Sequence, residues 1–235
     1  MNTIFSTLTK AEVMGKKEKE FIPALGYNFL SRFYDVAIKL TMPEKKFRKK
    51  LVDLLAPKID EEILEFGFGT GQNIVMLKKE NKALKIQGVD IDPKIKSIAD
   101  FKLKKHKIDT PLFLYDGSTL PFENNSFDKI YSCLVFHQLD AETKLSCLQE
   151  LNRILKPNGQ LIIADWGKAK SRWRRFLFYA VQLLDGFKTT TDNVNGLMPD
   201  FIQGAGFFDV VEVDFINTRL GTFSYYKSIK KNEHE

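Results

Sequence analysis

Short apolar runs alternate with amphipathic stretches along the chain from residue 62 onward. Six of these runs have the length of buried strands, at 63–66, 86–89, 112–115, 129–134, 161–164 and 210–215. The stretches between the first five have helical spacing, and those at 93–105 and 141–155 carry helix-start signals, Pro93 and Asp140. Strands separated by helices predict an α/β fold, in which a doubly wound, mostly parallel sheet is covered on both faces.

The end of the chain has a different pattern. FFDVVEVDFI and GTFSYYKSIK are strand-like runs joined by NTRLG, with no helix between them. This predicts a hairpin whose last strand, the seventh, runs antiparallel at or near one side of the sheet. The stretch KPNG at 156–159 predicts a turn. Residues 1–60 are helical in pattern and are expected to form a cap, and residues 61–235 one domain.

Composition changes this picture little. The chain has 43% hydrophobic and 28% charged residues, which is typical of a soluble globular protein. We find no apolar stretch of membrane-spanning length and no secretory signal, and Cys133 and Cys147 are too few for a disulfide framework. We therefore expect a cytoplasmic protein with no metal site.

The net charge of +6 is spread unevenly. Residues 1–110 hold 22 Lys/Arg against 15 Asp/Glu. An excess of lysine attracts acidic lipid surfaces or nucleic acid, but lysine runs without interleaved aromatics are usually solvated helix faces, which is the interpretation we favour.

A glycine-rich loop, "FGFGTGQN", follows the first strand and opens a helix. It therefore lies at the carboxyl edge of the sheet, where ligands bind in such folds. Its spacing is G-x-G-x-G, which is neither the dinucleotide pattern G-x-G-x-x-G nor a P-loop with its lysine. Gly67, Gly69 and Gly71 thus indicate a loop whose backbone can approach a ligand closely. The spacing does not indicate a phosphate-binding loop.

Two aspartates follow the next two strands. Asp90 ends the second strand, nineteen residues after Gly71, and Asp116 follows the third. A carboxylate at the first position can accept hydrogen bonds from ribose hydroxyls, and one at the second from an adenine amine. Each alone is explained equally well as a helix cap or turn residue. Together with the loop, they predict a nucleoside site.

These segments, with "YDGSTLPFENNSFDKIYS", "LQELNRILKPNGQLIIADW" and "GAGF", resemble the class I S-adenosylmethionine-dependent methyltransferases, in particular the ubiquinone/menaquinone C-methyltransferase-like group. The resemblance implies a Rossmann-like fold with a seven-stranded sheet and S-adenosylmethionine as cofactor. It implies a cofactor-binding set of Tyr34, Glu65, Gly67, Phe68, Gly69, Gly71, Asp90, Ile91, Asp116, Gly117 and Cys133. Phe68 departs from the family, which usually has a small residue or cysteine there. It is expected either to narrow the pocket or to pack beneath it.

Methyl transfer is an in-line displacement in which the protein mainly aligns the acceptor and excludes water. His137 follows the fourth strand and is the candidate catalytic base, with a local hydrogen-bonding role as the alternative. Asp165 and Trp166 end the fifth strand. Asp165 is expected to orient a polar group of the acceptor or to cap a turn, and Trp166 to stack on a flat acceptor or to pack in the core.

The segment "KAKSRWRRFLFYAVQLLDGF" predicts an aromatic helix that includes Trp173, a second candidate acceptor contact. We favour a substrate-covering or dimer-forming helix, and the alternative is an amphipathic lid in a lipid interface. The oligomeric state stays open.

We expect a methyltransferase acting on a small or lipid-like acceptor, at a quinol or phenol carbon or oxygen, or at an amine, with peripheral membrane contact as a further option. The alternatives are a nucleic-acid methyltransferase and a non-catalytic member of the fold. The fourth strand lacks the motifs of the nucleic-acid enzymes, so a nucleic-acid partner is not expected.

Overall fold

The computed structural model describes residues 43–232. Seven strands are present in this range: β1 (Glu62–Phe66), β2 (Lys85–Asp90), β3 (Leu112–Leu114), β4 (Phe127–Cys133), β5 (Leu155–Gly167), β6 (Phe207–Asn217) and β7 (Thr222–Lys230). The helices are α1 (Glu44–Leu55), α2 (Gln72–Glu80), α3 (Pro93–Lys105), α4 (Ala141–Ile154), α5 (Arg172–Leu177), α6 (Tyr179–Asp185), α7 (Phe187–Asn195) and α8 (Met198–Gly204). A 3-10 turn, Phe136–Gln138, follows β4.

The strands form one sheet in the order β3-β2-β1-β4-β5-β7-β6. β1 to β5 pair in parallel, whereas β7 runs antiparallel to both β5 and β6. This confirms the predicted seven-stranded, mostly parallel, Rossmann-like sheet with an antiparallel strand from a C-terminal hairpin. Because β1 to β5 are parallel, the segments that follow them meet at one edge of the sheet.

Buried side chains form a core on each face of the sheet. Consecutive residues of β5 alternate between the two: Leu161 and Ile163 belong to one apolar cluster, and Ile162 and Ala164 to the other. The second of these clusters also contains the buried face of α1, which comprises Phe47, Leu51, Val52 and Leu55. α1 therefore packs on the sheet, and the domain boundary at residue 60 stays a prediction.

Two local expectations differ from the structure. The aromatic segment forms two short helices, α5 and α6, which meet at the fully buried Phe178. Residues 156–159 lie within β5, where Asn158 has a φ of 61° and the pairing with β4 shifts register between Phe127 and Lys129. A local irregularity of the strand thus takes the place of the predicted turn.

Within the range from 43 to 232, none of the helices combines the length and the apolar character that a bilayer span requires.

Candidate functional site

The glycine loop connects β1 to α2 with a backbone that glycine favours. Gly67 and Gly69 have φ angles of 71° and 52°. A Cβ atom on Gly67 would lie 2.3 Å from Cγ2 of Val135, whereas one on Gly69 would meet no atom within 4 Å. Gly67 is therefore required by packing against the segment after β4. Gly69 faces open space, which leaves room for a ligand beside the loop.

Asp90 connects this loop to the end of β2. Its Oδ2 accepts a hydrogen bond from the Gly69 N–H at 2.9 Å, and its Oδ1 accepts from the N–H groups of Ile91 and Asp92 at 2.8 and 3.2 Å. Burial raises the pKa of the carboxyl group, and these backbone donors oppose the shift. A carboxylate has about four acceptor positions, so Oδ2 keeps capacity for a further donor.

Glu65 lies beneath the loop and is fully buried. Its carboxyl group accepts hydrogen bonds from Nδ2 of Asn73 at 2.7 Å and from the hydroxyl of Tyr131 at 3.0 Å. Arg48 of α1 donates to Oδ1 of Asn73 at 2.7 Å. Burial raises the pKa of Glu65 to about 7. The loop is thus supported from below by a chain of polar contacts that reaches from β4 to α1.

Sequence reasoning missed Asn73, Tyr131 and Arg48. Asn73 carries a weak signal, a buried polar residue in the first turn after the glycine loop. Tyr131 becomes a neighbour of Glu65 only through the β1–β4 pairing, in which the two residues are in register. No local pattern reports that pairing.

Asp116 and Gly117 follow β3 and approach the end of β2. Asp116 is exposed, and its Oδ1 accepts from the N–H and hydroxyl of Ser118 at 2.9 and 2.6 Å, which lowers the pKa of the carboxyl group. A Cβ atom on Gly117 would lie 3.1 Å from Cδ1 of Ile91. The structure therefore brings together the ends of β2 and β3, where the nucleoside part of the ligand is predicted.

Phe68 and Cys133 lie under the site. Phe68 is 3% exposed, and its side chain lies against Gly88 of β2. It is therefore packed against β2 beneath the loop. Burial raises the pKa of the Cys133 thiol to about 12, so the group is protonated at neutral pH.

His137 and Asp165 form a buried pair at the ends of β4 and β5. Nδ1 of His137 donates to Oδ1 of Asp165 at 2.7 Å, and the His137 N–H donates to Oδ2 at 3.2 Å. The other ring nitrogen, Nε2, lies 3.7 Å from Oδ2 of Asp185 in α6. Burial lowers the pKa of His137, but the Asp165 and Asp185 carboxylates together outweigh it, so that the pKa is raised. Both residues are fully buried, and their catalytic role stays a prediction.

The two candidate acceptor contacts lie in different environments. Trp166 is 2% exposed and packs edge-on against Phe178 and Phe223, with ring centroids 5.2 and 6.2 Å apart. Trp173 is 66% exposed on α5. The structure thus places Trp166 in the core and Trp173 on the surface. Tyr34 lies outside the described residues.

Comparison with known proteins finds methyltransferases among the proteins similar to this chain. A family model described as a methyltransferase domain matches residues 64–163. Demethylmenaquinone methyltransferases from Thermotoga maritima and Thermus thermophilus are 30% and 28% identical over 154 and 140 residues, which are 65% and 60% of the chain. The aligned region covers 64% and 60% of these relatives, so the match spans about three fifths of their length.

Solved structures share the fold. A methyltransferase from Aquifex aeolicus, dependent on S-adenosylmethionine, aligns with a TM-score of 0.57 at 22% identity, over 81% of this chain and 95% of that one. A phosphoethanolamine N-methyltransferase from Haemonchus contortus, in complex with S-adenosylhomocysteine, aligns with a TM-score of 0.64 at 16% identity, over 82% and 54%. Residues 64–163 thus match a methyltransferase domain, and the fold is shared with solved S-adenosylmethionine-dependent methyltransferases.

Proposed function

We propose that the protein transfers a methyl group from S-adenosylmethionine to a small or lipid-like acceptor. The observation that carries the proposal is the contact between Gly69 and Asp90, which sets a carboxylate beside open space at the carboxyl edge of the sheet. The glycine backbone allows a ligand to approach closely, and the carboxylate can accept hydrogen bonds from ribose hydroxyls. The loop has no lysine of the P-loop kind to bind a phosphate, so the site suits a nucleoside that carries none. The cofactor supplies the methyl group together with a sulfonium leaving group, and the protein holds the reactants in line and excludes water.

The proposed cofactor contacts follow from the three strand ends. Gly67, Gly69 and Gly71 lie along the methionine part, with Glu65 supporting the loop from below. Asp90 and Ile91 hold the ribose side, and Asp116 with Gly117 meets the adenine.

Calorimetric titration with S-adenosylmethionine tests the site. Asp90→Ala removes a charged acceptor, and loss of such a hydrogen bond costs about 1.5 to 3 kcal/mol, so affinity should fall about 10- to 100-fold. Asp100→Ala, which removes an exposed carboxylate from α3, is the matched control and should bind as the wild type does. A wild-type protein without affinity for the cofactor refutes the proposed function. Unchanged affinity in Asp90→Ala refutes the site assignment.

The acceptor class has support from the relatives, since two are demethylmenaquinone methyltransferases and a wheat relative is a phosphoethanolamine N-methyltransferase. Quinols, phenols and phosphoamines are therefore the compounds to test with methyl-labelled cofactor. Transfer to nucleic acid alone would contradict the proposal.

His137 is the proposed base, oriented through Nδ1 by Asp165. Its Nε2 faces Asp185, so an acceptor reaches this nitrogen only if α6 moves away. His137→Gln should lower turnover of the accepted substrate and leave cofactor affinity unchanged. Equal turnover in this variant would remove His137 from the mechanism.

A further inference from the structure

Six large apolar side chains are exposed on the segment formed by α5, α6 and the start of α7. We call them the basic aromatic surface: Trp173, Phe176, Tyr179, Leu183, Leu184 and Phe187. Their exposed fractions run from 43% for Tyr179 to 76% for Leu183. Single exposed apolar residues are common on proteins, but six on 15 consecutive positions mark an interaction surface.

The aromatic members of this surface are in contact with one another. The ring centroids are 5.7 Å apart between Trp173 and Phe176, 6.4 Å between Phe176 and Tyr179, and 6.2 Å between Tyr179 and Phe187. The guanidinium carbon of Arg175 lies 4.4 Å from the Tyr179 ring centroid. The four aromatic members therefore form a continuous strip, and the Arg175 guanidinium is stacked on Tyr179.

The other side of the same segment is packed into the protein. Phe178, Val181 and Gln182 are buried, and Phe178 contacts Trp166. α6 ends at Asp185, beside the His137–Asp165 pair. The exposed strip is thus the outer side of the segment that covers the ends of β4 and β5.

Charge is concentrated on this segment. Residues 168–191 hold one acidic residue, Asp185, and six basic residues, namely Lys168, Lys170, Arg172, Arg174, Arg175 and Lys188. Their net charge is +5, whereas the other residues of the range 111–235 together carry −6. Lys170 pairs with Glu212 at 2.8 Å and Lys188 lies 3.6 Å from Asp140. The excess positive charge of the segment therefore comes mainly from its three arginines and Lys168, and together with the apolar strip it is complementary to anionic lipid headgroups.

We propose that the basic aromatic surface docks the protein on an anionic phospholipid bilayer. The rings and leucines enter the boundary between headgroups and acyl chains, while the arginines and lysines contact the phosphates. A second copy of the chain fits less well, since it would bring +5 against +5. A nucleic acid offers nothing apolar to Leu183 and Leu184, which are the most exposed leucines of the strip. The docking does not depend on methyl transfer.

Cosedimentation with vesicles of phosphatidylcholine and phosphatidylglycerol tests the proposal on the full chain. Trp173→Ser/Leu183→Ser should weaken binding at least about tenfold, because two largely exposed apolar side chains leave the interface. Arg172→Gln/Lys188→Gln should weaken it too and reduce its salt dependence. The matched control is Phe101→Ser on α3, a side chain 72% exposed on another helix, which should bind as the wild type does. Pure phosphatidylcholine vesicles should bind weakly.

The docking proposal is overturned if the wild type does not bind the anionic vesicles, or if the double serine variant binds them equally well. It is also overturned if the double serine substitution leaves vesicle binding intact and instead abolishes a dimer or a complex with a single-stranded oligonucleotide. Cofactor titration of the same proteins separates the two proposals. Vesicle binding without cofactor binding refutes the methyltransferase function and leaves docking intact, and the reverse result refutes docking alone.

Discussion

Glu65 and Asp90 are acidic residues at the ends of neighbouring strands, but their surroundings give them different tasks. Glu65 is fully buried and contacts Asn73 and Tyr131, so it supports the loop. Asp90 is half-buried and contacts backbone N–H groups, so it remains beside the open space near Gly69. In the proposed site, Asp90 is therefore expected to contact the cofactor and Glu65 to support the loop.

Replacing Glu65 with glutamine removes a buried titrating group and keeps its size. Burial raises the pKa of Glu65 to about 7 from its ordinary value of 4.5. Between these values the folded protein keeps a proton that the unfolded chain has released, so the free energy of unfolding falls as pH rises through this window. The effect is of the order of 3 kcal/mol. Urea denaturation of both proteins at pH 5, 6, 7 and 8 measures it. A difference between wild type and Glu65→Gln that does not change with pH would contradict this prediction.

The position of Asp90 and of the glycine loop could be predicted because both follow from local spacing along the chain. The partners of Glu65 could not, since Tyr131 lies 66 residues further on and meets it only through strand order. Local periodicity predicts that a strand exists, but not which strand lies beside it.

At the scale of elements, α5 to α7 show where prediction from local pattern ends. Their apolar residues predict one helix, yet the helix is interrupted at Phe178, whose ring is buried against Trp166. Further contacts hold this segment in place: Asn193 donates to the Trp166 carbonyl at 3.0 Å, and Lys144 pairs with Asp192 at 3.0 Å. The helix boundaries here depend on burial against other parts of the fold, and local sequence patterns do not reveal such contacts.

His137 contributes to the attachment of this segment in a manner that depends on pH. Its pKa is raised because the Asp165 and Asp185 carboxylates together outweigh the opposing effect of burial. A raised histidine pKa stabilises the folded state fully below about pH 6.5, and this contribution is lost as pH rises through the folded pKa. His137→Gln should therefore lower the melting temperature more at pH 6 than at pH 9.

Thermal melting of wild type and variant across this range measures the difference. His106→Gln, which replaces an exposed histidine after α3, is the control; because the pKa of His106 is lowered, this variant should lose no more stability at pH 6 than at pH 9. An equal loss in His137→Gln at pH 6 and pH 9 would show that the ring acts only by its hydrogen bond and packing.

At the scale of the whole molecule, α1 links the α2 helix after the glycine loop to the C-terminal hairpin. Phe47 packs against Phe223 with ring centroids 4.9 Å apart, and its carbonyl accepts from the hydroxyl of Tyr225 at 2.8 Å. Arg48, the next residue, contacts Asn73 below the loop. α1 thus contacts both α2 and the C-terminal hairpin, and the cap predicted for residues 1–60 stays a prediction.

Phe47→Ala tests whether α1 unfolds together with the sheet. The side chain is fully buried, so its truncation should lower the free energy of unfolding by about 3 to 5 kcal/mol. A Trp173→Phe background leaves Trp166, buried at the end of β5, as the only tryptophan and hence as a reporter on the sheet. The urea concentration at the unfolding midpoint should fall by the same amount in the variant whether unfolding is followed by fluorescence or by circular dichroism. Phe208→Ala, at a side chain 60% exposed on β6, is the control and should change little. If α1 belonged to an independent cap, Phe47→Ala would not change the midpoint of the urea transition that Trp166 fluorescence reports.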